Sequence, residues 1–341
     1  MRLAFLVPAP LSATSGGYAY DRRLLAGLRA LGVAVRVEEL PGRFPLPDAA
    51  ARAAMAAALD RLAADETPVL DGLGLPAADP AHPALARAVA LIHHPTSLEA
   101  GQDRAALAAL ERPLFARVAR LVATSPMTAR GLPELGADPA RVGVVEPGTD
   151  PASRAPGSGG DGCRILSVGS LTPRKGHDVL LRALARLTDL DWALRIAGPP
   201  ADPVHAATLR ALAEELGLAQ RVAFLGALHG EALEAEYQAA DLFALATHWE
   251  GYGMAAAEAQ ARGLPLALCT GGAIAEVAGP GAAILAAPGN HDSLSRGMRR
   301  VILDRGLRAQ MAEAAWAAGQ RLPRWEDRAA RFAAEVEKAH G

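Results

Sequence analysis

Short apolar runs alternate with Ala-rich stretches of helical spacing along nearly the whole chain, with Gly- or Pro-containing turns at the junctions. No other feature restricts the fold as much. Parallel strands need a crossover between them, and a helix is the usual one. Apolar runs at residues 3–8, 33–40, 69–71, 89–93, 121–124 and 142–145 predict strands in the first half. A second set is predicted at 164–168, 193–197, 222–225, 242–245, 266–269 and 283–285. Helices between such strands imply parallel sheets covered on both faces. Between the two sets lies T-D-P-A-S-R-A-P-G-S-G-G-D-G, residues 149–162, which lacks apolar periodicity. The expected organisation is a doubly wound domain over 1–150, a linker over 151–162 and a second doubly wound domain over 163–323. A last helical stretch, about 324–341, is expected to pack back on the first domain. A length of 341 residues suits two domains. Ligands of such sheets bind beyond the carboxyl ends of the strands, so two facing sheets would share a cleft.

Charge and cysteine content exclude several classes. Lys and Arg number 35 against 37 Asp and Glu, and neither half is basic. No nucleic-acid partner is expected. No strong electrostatic membrane anchor is expected either, while peripheral membrane contact through a local basic face stays open. Cys163 and Cys269 form no C-x-x-C, so neither a zinc site nor a disulfide framework is read, and a cytoplasmic protein is expected. The apolar start is short and broken by Pro8 and Pro10, which reads as a strand and not a signal peptide. No run of 18 apolar residues is present to span a membrane.

Of the basic residues 33 are Arg, and the two lysines are Lys175 and Lys338. Lys175 sits in S-L-T-P-R-K-G-H-D, residues 170–178, between a predicted strand and a predicted helix. Helix N-termini offer free N–H groups and partial positive charge, which suits a phosphate. Ser170 opens the loop, and Gly169 and Gly176 permit a tight turn. Arg174 is a planar fork and Lys175 a compact point charge, so the pair can meet different oxygens of one diphosphate. The bland reading is a solvated loop, with His177 capping its helix.

The second informative stretch is E-G-Y-G-M-A-A-A-E, residues 250–258. Hydrolase carboxyl pairs lie roughly 5–9.5 Å apart. Eight helical residues rise about 12 Å, so Glu250 and Glu258 do not form such a pair by spacing alone. Each carboxylate can instead accept from the vicinal hydroxyls of a sugar or ribose. Gly251 and Gly253 leave backbone N–H groups open near another helix start. A helix cap plus an exposed Glu is the plain alternative.

Taken together, G-S-L-T-P-R-K-G-H-D, R-V-A-F-L-G at 221–226 and E-G-Y-G-M-A-A-A-E-A-Q-A-R-G-L-P at 250–265 resemble family 4 glycosyltransferases, retaining enzymes of GT-B fold. The resemblance implies transfer of a sugar from a nucleotide-diphosphate donor, UDP before GDP on family frequency, to an acceptor it does not name. It implies that Arg174 and Lys175 hold the diphosphate, Glu258 the ribose and Glu250 the sugar hydroxyls. Backbone N–H groups of Gly253 and Met254 would face the sugar or phosphate. Gly16 and Gly17 match the first-domain Gly loop, and His93 or His94 matches the His beside the transferred sugar. No cofactor or metal is expected. Three departures stand out: Ala255–Ala257 replace bulkier residues, 271–276 is one residue longer than G-G-x-x-E, and G-P-P at 198–200 replaces a Gly-rich turn.

Tyr18, Tyr20 and Asp21 could reach an acceptor, while Asp21 could equally pair with Arg22 or Arg23 on a helix surface. His93 and His94 read alternatively as satisfied core residues. A metal held by both is disfavoured, since neighbouring strand residues point to opposite faces. Rival functions are a nucleotide-sugar epimerase or a phosphorylase on the same scaffold, or a non-catalytic nucleotide-sugar-binding partner. The phosphorylase would need a lysine for a pyridoxal group beyond Lys175 and Lys338. A nicotinamide dehydrogenase lacks support, because no G-x-G-x-x-G follows residues 3–8.

Overall fold

In the computed structural model, which describes residues 1–98 and 102–340, the alternation resolves into two six-stranded parallel sheets. Each sheet belongs to its own unit, Met1–Gly148 with Pro323–Gly341 and Thr149–Leu322. The first unit runs β1 (Arg2–Pro8), α1 (Gly16–Ala30), β2 (Ala34–Leu40), α2 (Ala49–Asp60), β3 (Glu66–Asp71), β4 (Val89–Ile92), α3 (Arg104–Arg117), β5 (Arg120–Ala123), α4 (Pro126–Gly131) and β6 (Val142–Val144). Its strand order is β2-β1-β3-β4-β5-β6. The chain reverses direction across the sheet between β1 and β3, so the loops after these strands flank the switch point where open α/β sheets take ligands.

Local chemistry explains the element boundaries. Ser15 caps α1 by accepting from the Tyr18 N–H, and Asp48 caps α2 by accepting from the Ala51 N–H at 2.8 Å. In β1, Leu3 to Val7 are all fully buried, as a central parallel strand requires. Ala4 and Leu6 join the core formed with Met55, Leu59, Leu75 and Phe115.

The second unit runs β7 (Cys163–Val168), α5 (His177–Ala185), β8 (Trp192–Ala197), α6 (Pro203–Glu215), β9 (Val222–Gly226), α7 (Gly230–Gln238), β10 (Leu242–Leu245), α8 (Met254–Ala261), β11 (Leu266–Cys269), α9 (Ile274–Val277), β12 (Ala283–Ala286), α10 (His291–Leu303) and α11 (Arg305–Gly319). Its order is β12-β11-β10-β7-β8-β9, with the switch point between β7 and β10. Leu242 and Phe243 pair with Ile165 and Leu166 there. Ile165 belongs to the core under α5 and α10, and Leu166 to the core under α7 and α8, so the sheet is buried on both faces.

Residues 150–162 form no helix or strand. They lie along the second unit: the Ala155 N–H donates to the Arg262 carbonyl at 2.9 Å, and the Gly157 N–H to the Gln238 carbonyl at 3.1 Å. The last helix, α12 (Trp325–Glu337), packs on α1 and β5 of the first unit. Its Phe332 and Val336 are fully buried, and its Glu335 accepts from Arg120 Nε at 2.8 Å.

Candidate active site

The two strands flanking the second switch point, β7 and β10, deliver the motif residues. After β7 the chain drops into a loop pinned by the Leu171 N–H, which donates to the Pro199 carbonyl at 2.9 Å. A single tight turn, Pro173–Lys175, then leads to Gly176 at φ 63°. A Cβ at Gly176 would lie 2.1 Å from the Ala246 carbonyl oxygen, so the position needs glycine for both its backbone angle and its closeness to the β10 loop. The same approach lets the Arg174 carbonyl accept from the His248 N–H at 2.8 Å, while Arg174 Nη1 donates to the Trp249 carbonyl at 2.8 Å.

These contacts bring three charged side chains together. Lys175 Nζ donates to Glu250 Oε1 at 2.5 Å, and Arg174 Nη1 lies 3.6 Å from the same oxygen. The Thr247 hydroxyl is 3.2 Å from it as well, though its one proton is shared among that oxygen and the carbonyls of Arg174 and Trp249. Burial alone would push the Glu250 carboxyl up. Lys175 and Arg174 outweigh burial, with help from the Lys175 and Thr247 hydrogen bonds, and hold the carboxyl below its ordinary range. The stem of Lys175 packs on Gly169, where a Cβ would lie 3.2 Å from its Cδ and Cε. Behind Glu250, Gly271 and Gly272 pair with its backbone: the Glu250 N–H donates to Gly271, and the Ala273 N–H donates to Glu250. The lengthened 271–276 segment thus fixes the Glu250 loop, and Glu276 is exposed on α9.

The helices that follow the two motif loops begin without a side-chain cap. Helix α5 follows Gly176, and α8 follows Gly253 at φ 106°, with Met254 its first residue. Their first N–H groups keep hydrogen-bonding capacity for a ligand. Ser170 is half-buried at the start of the loop. Glu258, in the second turn of α8, takes a different partner: Tyr237 of α7 donates its hydroxyl to Oε2 at 2.9 Å, and Arg262 lies over the Tyr237 ring. His177 does not cap α5. Gly176 holds that position, and the His177 ring is turned into the core, with neither nitrogen partnered among the described residues. Burial, joined by Lys175 and His205, pushes its pKa down to about 3.

The first unit holds its own cluster, at the ends of β3 and β4. Gly16 and Gly17 open α1, and a Cβ at Gly17 would sit 3.2 Å from the His93 ring. His93 Nε2 is 3.0 Å from Asp21 Oδ1 and 3.4 Å from Asp71 Oδ2. Asp21 is fully buried, which corrects the expectation of a surface pair with Arg22 or Arg23. Arg22 donates to the carbonyls of Leu11 and Ala13, and Arg23 lies over the Trp325 ring. Tyr20 meets His93 edge-on at 5.2 Å and donates its hydroxyl to the Val145 carbonyl. Tyr18 is half-buried; burial, Asp71, Asp21 and Glu39 raise its phenol to about 12. His94 is half-buried beside His93. Asp71, Thr247 and Tyr237 were missed in the sequence. Asp71 ends a strand at a switch point and Thr247 lies three residues before Glu250, which are usable signals; Tyr237 carried none.

Residues 150–317 match the family model described as glycosyl transferases group 1. A D-inositol 3-phosphate glycosyltransferase of Acidothermus cellulolyticus is 32% identical over 236 residues, covering 64% of this chain and 52% of its own length. The chain thus spans about half the length of the curated relatives it matches. Among solved structures, sucrose-phosphate synthase from Thermosynechococcus elongatus superposes with a TM-score of 0.83 at 18% identity, covering 99% of both chains. HepE of Anabaena, in complex with UDP and glucose, gives 0.79 at 17% identity, covering 98% of this chain and 99% of its own. These likenesses establish the GT-B fold, as expected from the sequence.

Proposed function

We propose, from the match of residues 150–317 to the glycosyl transferases group 1 model, that the protein is a retaining glycosyltransferase using a nucleotide-diphosphate sugar. The observation that carries this reading is the convergence of Arg174, Lys175 and Glu250 beside two uncapped helix starts. Two cations against one carboxylate leave the cluster net positive, which suits a diphosphate. Glu250 then serves the sugar hydroxyls, Glu258 the ribose, and His93 the transferred sugar. UDP is the favoured nucleotide, and UDP bound to the structurally similar HepE supports that preference.

In this reaction the bond from the anomeric carbon to the diphosphate oxygen breaks, and its electrons leave with the diphosphate. An acceptor hydroxyl oxygen bonds the anomeric carbon on the same face, and its proton passes to the departing phosphate. Charge therefore develops on the diphosphate, where preorganised cations favour the transition state over the ground state. A unit charge pair at 4 Å is worth about 4 kcal/mol at an effective dielectric of 20. Neutralisation by Arg174, Lys175 and helix N–H groups requires no metal, so transfer is expected in EDTA.

The test is a thermal-shift panel of UDP- and GDP-sugars, followed by incubation of the stabilising donor with hydroxylic acceptors, inositol phosphates included. Product with retained anomeric configuration and released nucleoside diphosphate is expected. An altered sugar from donor alone would establish the epimerase instead, and binding without turnover on any acceptor the non-catalytic reading. Lys175→Ala should lower kcat by about 10²–10³, the scale for one lost transition-state partner. Turnover like the parent protein's would remove Lys175 from the reaction.

A further inference from the structure

His93 has two buried carboxylates on one nitrogen, which is more than a core histidine needs. Asp21 is fully buried and Asp71 is 3% exposed, yet both face the same Nε2, at 3.0 and 3.4 Å. Asp71 is itself held by the Leu73 N–H, which donates to Oδ1 at 2.9 Å. Asp21 stands one turn into α1, and its Oδ2 is buried without a partner among the described residues. Gly17 of α1 supports the ring at Cδ2, Tyr20 meets it edge-on, and Thr124 donates its hydroxyl to the His93 carbonyl. The His93 side chain keeps 18% exposure. The ring is held through Nε2 and Cδ2, so Nδ1 is the nitrogen left for a ligand.

Two buried anions cannot be left uncompensated at low cost. The proton on Nε2 serves both, and a positive ring compensates one full charge. We propose that Asp21 and Asp71 are positioning residues that keep His93 doubly protonated, so that it presents Nδ1–H to the substrate as a fixed, charge-assisted donor. The partner of such a donor is an oxygen acceptor, a hydroxyl or carboxylate oxygen of the sugar, and an ammonium substituent there is rejected. This rests on the glycosyltransferase reading for what the donor meets, but not for the protonation itself.

The titratable groups around the ring are consistent with this. From α1 these are Tyr18, Tyr20 and Asp21, and from the end of β3 Asp71. Burial lowers the affinity of His93 for its proton, but Asp21 and then Asp71 outweigh it and carry the pKa up to about 10. Burial raises Asp21 most, with Asp71 adding to it, and His93 opposes them. Both tyrosine phenols are raised, chiefly by burial, and stay neutral across the same range. One negative charge therefore remains on the cluster when the ring is positive.

The test uses the full chain with ¹⁵N-labelled histidine, the His93 signals being assigned by their loss in His93→Gln. Both ring nitrogens should show the protonated shift from pH 6 to pH 8.5, before and after EDTA. Asp71→Asn should bring the midpoint down by at least one pH unit without loss of the thermal transition. A neutral ring at pH 7 in the parent protein overturns the proposal. So does an EDTA-dependent change at Nε2, which would mean that a metal ion sits where the proton is placed. Neither readout needs transfer activity, so failure of the glycosyltransferase reading would be seen separately, as absence of product. If product forms, donors bearing an oxygen substituent should outcompete amino-sugar donors in kcat/KM, and His93→Gln should lose that preference at pH 8.

Discussion

His177 opens α5 near Lys175; the residue is 1% exposed, and neither ring nitrogen has a partner among the described residues. A buried imidazole beside a lysine is held neutral, and its pKa falls to about 3. The folded state therefore resists protonation that the unfolded chain accepts near pH 6.5. Stability from this residue is complete above that value and declines as pH falls towards 3. At pH 5 the loss is about 2 kcal/mol, since each unit below the unfolded pKa costs about 1.4 kcal/mol. Melting curves of His177→Leu should therefore be flatter between pH 7.5 and pH 5 than those of the parent protein. Equal slopes would show that His177 does not titrate differently on unfolding. His93 has the opposite sign: its contribution is complete below about pH 6.5 and is lost as pH rises through about 10.

At the scale of elements, the turn between β7 and α5 shows how a backbone requirement places charge. Gly176 and Gly217 have nearly the same φ, 63° and 70°. Among the described residues a Cβ at Gly217 meets nothing within 4 Å, whereas one at Gly176 meets the Ala246 carbonyl at 2.1 Å. Gly217→Ala should cost only the left-handed backbone penalty, about 1–2 kcal/mol. Gly176→Ala should cost more, and, under the proposed function, it should weaken nucleotide-sugar binding by displacing Arg174 and Lys175 from Glu250. Thermal melts and calorimetry of the two variants check this; equal costs would mean that the β10 loop yields freely. Helix α8 packs through short residues on one side and backbone on another: Ala256 and Ala259 are fully buried in the core with Leu166, Tyr237 and Phe243, while Gly319 of α11 lies against the Gln260 carbonyl and Ala261.

At the scale of the whole chain, α12 leaves the second unit and completes the first. Trp325 packs edge-on against Tyr20 at 5.5 Å, and Phe332 and Val336 are fully buried. Ending the chain at residue 322 should remove roughly 5–9 kcal/mol of burial from the first unit, at about 1.5–3 kcal/mol per large apolar side chain. That is comparable with the stability of a typical domain. Calorimetry should show the first unit melting far lower or not folding, with the transition of the second unit unchanged. An unaltered scan would mean that α12 is dispensable. The sequence by itself determined the two parallel sheets and the strand-end positions of Lys175, Glu250 and His93, because apolar period and turn chemistry are local properties. It determined the family resemblance for the same reason, since those motifs are contiguous. Only the tertiary structure decided which residues meet. Lys175 and Glu250 are 75 residues apart, and His93 and Asp21 are 72 apart. Such pairs depend on strand order and on which helix face turns inward. Local pattern is silent on both, which is why Asp21 stayed open between an acceptor contact and a surface pair, and why His177 read as a cap, until packing buried them.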